Sequence, residues 1–67
     1  EELVMLLAGA ATVVIQEAGQ ERCVHLGVPG DYVLVPRNAW HTARATAATT
    51  LLFLTPGAGT EHKPVDV

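Results

Sequence analysis

The chain is short of basic residues, cysteines and long apolar runs, and each shortage excludes a class of protein. Four Lys and Arg stand against seven Asp and Glu, and they are scattered, so nothing in the charge pattern favours nucleic acid or an anionic membrane surface as a partner. The apolar run from Leu3 to Ile15 is too short and too rich in Ala and Gly to span a bilayer, and no basic segment precedes it as in a signal peptide. We therefore expect a cytoplasmic protein with neither nucleic-acid nor membrane partners.

Cysteine usage and length set two further bounds. Cys23 is the single cysteine, so the chain forms no internal disulfide, and its place among alternating strand residues predicts a small buried hydrophobe. Sixty-seven residues, 49% of them hydrophobic, make one small domain whose stability is marginal unless it buries more surface by association. A homodimer is therefore expected.

Apolar alternation and turn residues predict strands along most of the chain. The predicted strands are residues 3–8, 11–17, 21–28, 31–35, 40–46 and 49–55, with a hairpin connection at 18–20. Residues 1–8 also suit the start of a helix, because a short apolar run does not separate the two periods; the β-branched residues and Gly9 favour strands. The near-continuous apolar run at 51–54 predicts a strand that is either buried on both faces or covered by a partner, and residues from Pro56 onward are typical of a loop.

The stretch from Gly30 to His41 contains the most specific arrangement in the chain. Gly30 is free to take a positive φ, Pro36 ends a short strand, and Asn38 tolerates the left-handed conformation in the next turn. Alternation then places His41 on one face of the following strand with Ala43 and Ala45. On residue usage alone, such a histidine is more often a hydrogen-bonded, partly buried side chain than a metal ligand.

Two spacings in this sequence resemble the signatures of the cupin superfamily. Gly30, Pro36 and His41 match the Gly, Pro and metal-binding His of the second signature, in which Asn38 replaces the usual Gly. Glu2 and Gly9 reproduce the Glu and Gly that end the first. The resemblance implies an all-β, antiparallel jelly-roll (cupin) barrel over residues 1–55, N-terminally incomplete, followed by a C-terminal tail at 56–67.

The resemblance also implies a metal site. Its ligands in this chain would be His41 and Glu2, binding a divalent metal such as Fe, Mn, Ni or Zn. The His-any-His pair that precedes the Glu in the family is missing from this sequence, so the site is incomplete here, and the chain is either a fragment or a naturally short variant. Tyr32 and Trp40 are candidate pocket or rim aromatics, with bulk packing as their alternative role.

Two functions remain open at this point. In one, the intact protein binds a divalent metal in the barrel and acts on or senses a small organic molecule. In the other, the domain is a metal-free module for small-molecule binding or oligomerisation, which the missing His pair favours. Whether the protein is an enzyme, and which reaction it catalyses, cannot be read from a fold that hosts many chemistries. His25 and His62 are expected to be solvent-facing in either case.

Overall fold

The structure is a computed structural model that describes the backbone of residues 1–55 and 59–65 and the side chains of residues 1–55. Within these ranges it contains only β-strands as regular elements, and so no helix that is long and apolar enough to cross a membrane. The strands are β1 (Glu2–Ala8), β2 (Ala11–Glu17), β3 (Gln20–Leu26), β4 (Tyr32–Val35), β5 (Trp40–Arg44), β6 (Thr49–Thr55) and β7 (Gly59–Val65).

The strands form two antiparallel sheets that pack together. One sheet has the order β4-β1-β6-β7 and the other has the order β3-β2-β5. The all-β, antiparallel prediction is confirmed, whereas the sheets do not close into a barrel within the described residues. β1 pairs with both β4 and β6, so residues 2–8 form a strand and not the start of a helix.

The hydrophobic core lies between the two sheets. In β1 to β6, alternate residues point inward, as the sequence pattern predicts. Burying one such aliphatic side chain stabilises the fold by about 1.5 to 3 kcal/mol. The buried cluster comprises Val4, Leu6, Ala11, Val13, Ile15, Leu26, Val33, Val35 and Leu51.

A two-residue turn joins β2 to β3 and fixes their register. Ala18 and Gly19 both have positive φ, 53° and 78°. Positive φ at both central residues is typical of the turn whose twist matches that of an antiparallel hairpin. The hairpin predicted at this position is confirmed.

The turn before β4 is held by its own aspartate and is bonded to β1. The carboxylate of Asp31 accepts the backbone N–H groups of Gly27 and Val28, each over 3.0 Å. Gly30 has the expected positive φ, 100°, and its N–H donates to the carbonyl oxygen of Leu6 over 2.8 Å. The turn therefore positions the start of β4 beside β1.

Three local features differ from what the sequence suggests. Asn38 does not adopt positive φ; the N–H of Ala39 donates to the carbonyl oxygen of Pro36 over 3.2 Å, closing a turn whose central residues both keep negative φ. Cys23 is exposed, because β3 presents it on the face turned away from the core. Leu54 is 44% exposed, so the run at 51–54 is not buried on both faces.

The end of the chain also differs from the prediction of a loop. β7 pairs with β6 along its whole length, from Thr55 opposite Gly59 to Thr49 opposite Val65. The free edge of an apolar strand can bind backbone that has little strand propensity of its own, and a proline is compatible with an edge strand. The side chain of His62 lies outside those described.

Candidate functional site

A contact between a carboxylate and an imidazole connects the two sheets. Oε1 of Glu2, at the start of β1, lies 3.1 Å from Nε2 of His41, the second residue of β5. Glu2 belongs to the four-stranded sheet and His41 to the three-stranded sheet. The structure thus brings together the two residues that the signature spacings predict as ligands.

Strand alternation explains why these side chains meet. Glu2 shares the inward face of β1 with Val4 and Leu6, which are both fully buried. His41 lies opposite Ile15 in the β2–β5 ladder and so points from the other sheet toward the same interior. The packed core keeps the sheets at a fixed separation, and the pair occupies one end of the space between them.

Two residues of β6 also contact the pair, and sequence reasoning missed both. The hydroxyl of Thr55 donates to Oε2 of Glu2. The ring of Phe53 stacks on that of His41, with centroids 6.1 Å apart and an interplanar angle of 28°. The side chains of a strand alternate between its two faces, so the sequence does place residues 53 and 55 on the same face of β6 as the buried Leu51. Thr55 orients the carboxylate, and Phe53 covers one face of the imidazole.

The pair remains accessible to small solutes. The side chains of His41 and Glu2 are 25% and 23% exposed. The carboxylate offers acceptor oxygens, and the imidazole nitrogen that faces it donates or accepts according to tautomer and charge. The arrangement can hold a proton between the two groups, or can direct one oxygen and one nitrogen at a shared cation.

The donor set fits a metal ion in part. Two ligands at about 2.1 Å from a first-row ion and at right angles to each other stand about 3 Å apart, close to the observed 3.1 Å. A catalytic metal normally takes three protein ligands. Among the described side chains no group of three or more His, Cys, Asp and Glu is placed to hold an ion. Among the described side chains, Glu2 and His41 alone therefore supply fewer donors than a catalytic metal normally takes from protein.

The other candidate residues lie away from this pair. Tyr32 is 59% exposed and Trp40 is 81% exposed, so bulk packing is not their role. Both occupy strand positions that alternate with inward-facing neighbours, and they therefore point outward from their sheets. His25 is exposed as expected, with Nδ1 at 3.4 Å from the hydroxyl of Thr12.

Comparisons of the chain with protein-family models, curated proteins and solved structures each found no match.

Proposed function

We propose that this chain is part of a cupin-like jelly-roll domain that binds a divalent metal and a small organic molecule at the pair of Glu2 and His41. The observation that carries the proposal is the 3.1 Å approach of these two side chains across the two sheets. Their spacings in the sequence are those of the ligands in the family's two signatures. A chance likeness in spacing would not require the two side chains to converge on one point.

The strand order supports the jelly-roll part of the proposal. Successive strands alternate between the sheets: β1 lies in one, β2 and β3 in the other, β4 in the first and β5 in the second. Two antiparallel sheets connected by such crossings are typical of jelly rolls. Within the described residues, β5, the strand that carries His41, is a free edge of the three-stranded sheet. A further strand at that edge would lie next to the metal site.

In the proposed site, each described residue has a distinct task. His41 and Glu2 hold the metal, which when bound supplies Lewis-acid activation of an oxygen-bearing substrate or of water. Thr55 keeps the carboxylate oriented through its hydrogen bond, and Phe53 limits the rotation of the imidazole. The remaining coordination positions belong to water, substrate and donors outside the described side chains.

Metal binding tests the proposal directly. The protein is stripped with a chelator and titrated in turn with Fe²⁺, Mn²⁺, Ni²⁺ and Zn²⁺, and metal bound per chain is measured by elemental analysis after gel filtration. We expect one equivalent in the wild type and its loss in His41→Ala and Glu2→Gln. His25→Ala is the matched control, because it removes an exposed imidazole far from the pair in the β-ladders and should leave the stoichiometry unchanged. Absence of stoichiometric binding, or equal loss in His25→Ala, would overturn the proposal.

One observation favours the metal-free alternative as a second candidate. The Glu2 carboxylate already has a partner on each oxygen, His41 and Thr55, so it is satisfied without a cation. On this alternative the pair ties the sheets together, and the domain binds an organic ligand or another protein. His41→Ala would then lower the melting temperature by the same amount with and without chelator, whereas a metal site predicts that chelator alone destabilises the wild type.

A further inference from the structure

The face of the three-stranded sheet that points away from the core has an apolar centre. Val14 is only 6% exposed although it does not belong to the core cluster between the sheets. It lies on this outer face between its ladder partners Cys23 on β3 and Thr42 on β5. These three residues form the middle row of the face, across the strands.

The two ends of the same face carry opposite charge. His25 and Arg44 lie on either side of β2 at one end, and Glu21 and Trp40 lie on either side of β2 at the other. Trp40 is the most exposed large hydrophobic residue among the described side chains, at 81%, and so projects from its end of the face. The face therefore has a basic end, an apolar middle and an end that carries an acid and an indole. When a second copy of the face is turned end for end, each end meets a complementary one.

We propose that two copies of the chain associate through this outer face, about a two-fold axis that lies in the interface along the middle row. Rotation about that axis reverses each strand direction and exchanges the ends, while β3 stays over β3 and β5 over β5. His25 then faces the partner's Glu21, and Arg44 faces the partner's Trp40. The middle row meets its own copy, as an isologous contact requires.

The alternative two-fold axis, along the strands, lacks this complementarity. It would set β3 over β5 without exchanging the ends, so Glu21 would face the partner's Trp40 and Arg44 would face the partner's His25. A carboxylate is repelled by the negative face of an aromatic ring, and the guanidinium would then have neither a carboxylate nor an aromatic ring as its partner. The charge pattern therefore selects the axis that crosses the strands.

The shape of the face supports the same pairing. A concavity of about 320 Å³ opens at the basic end and is lined in part by Val14, His25 and Arg44. A cavity of roughly 150 Å³ accepts benzene, so this one has room for an indole. The proposed axis brings the partner's Trp40 to that concavity, where its ring meets the guanidinium of Arg44 in a cation–π contact. Each copy thus offers a projecting indole at one end of the face and, at the other end, a recess large enough to receive it.

Charge exchange tests the register of the interface. Sedimentation velocity over a range of protein concentrations gives the dimer dissociation constant at neutral pH. We expect Glu21→Lys to raise it by about tenfold or more, because the altered contact occurs twice in each dimer. The double variant Glu21→Lys with His25→Glu should restore association, since an introduced ammonium on one copy then faces an introduced carboxylate on the other. Glu17→Lys makes the same charge change on the other face of β2 and should leave the constant unchanged.

Cross-linking tests the position of the axis. Mild oxidation with diamide should link Cys23 to the partner's Cys23 in the wild type, because the middle row meets itself. In Cys23→Ala backgrounds, Thr42→Cys should also cross-link, whereas Thr12→Cys should not, because Thr12 faces the partner's Gln16. The emission of Trp40, the single tryptophan, should shift to the blue on dimerisation and report the same equilibrium.

Three results would overturn the proposal. The first is a protein that stays monomeric at all concentrations tested, with the outer face left free for a small molecule or another protein. The second is a dimer that neither Glu21→Lys nor Trp40→Thr weakens, since it would use another face. The third is cross-linking of Thr12→Cys in preference to Thr42→Cys. None of these readouts depends on metal binding, so failure of the interface and failure of the metal site can be told apart.

Discussion

The hydroxyl of Thr49 lies 2.9 Å from the carbonyl oxygen of Ala10 and 3.3 Å from its backbone nitrogen, so one side chain serves both polar groups of one residue. Thr49 is 3% exposed and begins β6, whereas Ala10 sits in the turn between β1 and β2. The same hydroxyl is also 3.0 Å from the carbonyl oxygen of Ala47. Thr49 thus ties the connection between the two sheets to the start of β6.

Removing this hydroxyl should destabilise the fold. Thr49→Val keeps the shape but leaves the N–H and carbonyl groups of Ala10 without that partner, and we expect a loss of about 1 to 3 kcal/mol in the free energy of unfolding. Urea denaturation followed by circular dichroism measures it. Thr49→Ser retains the hydroxyl and should be the more stable of the two variants; the reverse order would contradict the role assigned to the hydrogen bonds.

Gly9 is the glycine at which a side chain should be least tolerated. Its φ is 85°, and an added Cβ would lie 2.6 Å from both the carbonyl oxygen of Ala48 and the hydroxyl of Thr49. Gly9→Ala should therefore cost clearly more than the 1 to 2 kcal/mol, roughly, of a left-handed alanine alone. Gly19→Ala is the matched control, because Gly19 has a φ of 78° and nothing within 4 Å of an added Cβ. Equal losses in the two variants would show that the contact at Gly9 is relieved at little cost.

The hairpin turn offers a stabilising substitution. Ala18 is the one non-glycine with positive φ in the described part of the chain, and an alanine is strained there. Ala18→Asn should raise the free energy of unfolding by about 0.5 to 1 kcal/mol, because asparagine followed by Gly19 suits this turn. Thermal unfolding detects such a gain. Ala47→Asn, at an exposed position with ordinary φ, should give none, and a similar gain there would exclude turn strain as the cause.

The carboxylate of Asp31 should stabilise the turn before β4 mainly as an acceptor. Asp31→Ala leaves the N–H groups of Gly27 and Val28 without their acceptor, with an expected cost of about 1 to 2 kcal/mol. Asp31→Asn supplies an acceptor oxygen in the same place and should recover most of the loss. Chemical denaturation of both variants separates the two cases, and an asparagine variant as unstable as the alanine variant would assign the effect to charge.

Strand positions and their inward faces could be predicted from the sequence, because both follow from local alternation. The bounds Ala11–Glu17 and Thr49–Thr55 agree with the structure, and β1 and β5 differ from their predicted ends by no more than two residues. The same alternation predicts that Glu2 and His41 point inward from different strands. Their actual contact depends on how two sheets pack, which alternation alone does not contain.

Features that depend on distant partners could not be predicted in this way. Pairing of β7 with β6 overrides the Gly and Pro content that is typical of a loop. The contact of Thr55 with Glu2 joins residues that are 53 positions apart in the sequence, and the stacking of Phe53 on His41 joins two different sheets. Cys23 is exposed, contrary to the prediction, because a cysteine on the outer face of an edge strand has the same local sequence pattern as one in a core.

The place of β1 in its sheet has a consequence for folding. β1 lies between β4 and β6, so both of its neighbours are synthesised after it. Until β6 has emerged from the ribosome, the backbone of β1 lacks at least one of its two partners, and its apolar residues remain uncovered. Loop closure over such distances slows folding and lengthens the time during which an unpaired apolar strand can aggregate. We therefore expect mutations at the contacts between β1 and β6 to change the folding rate of this chain more than mutations in the local hairpin of β2 and β3.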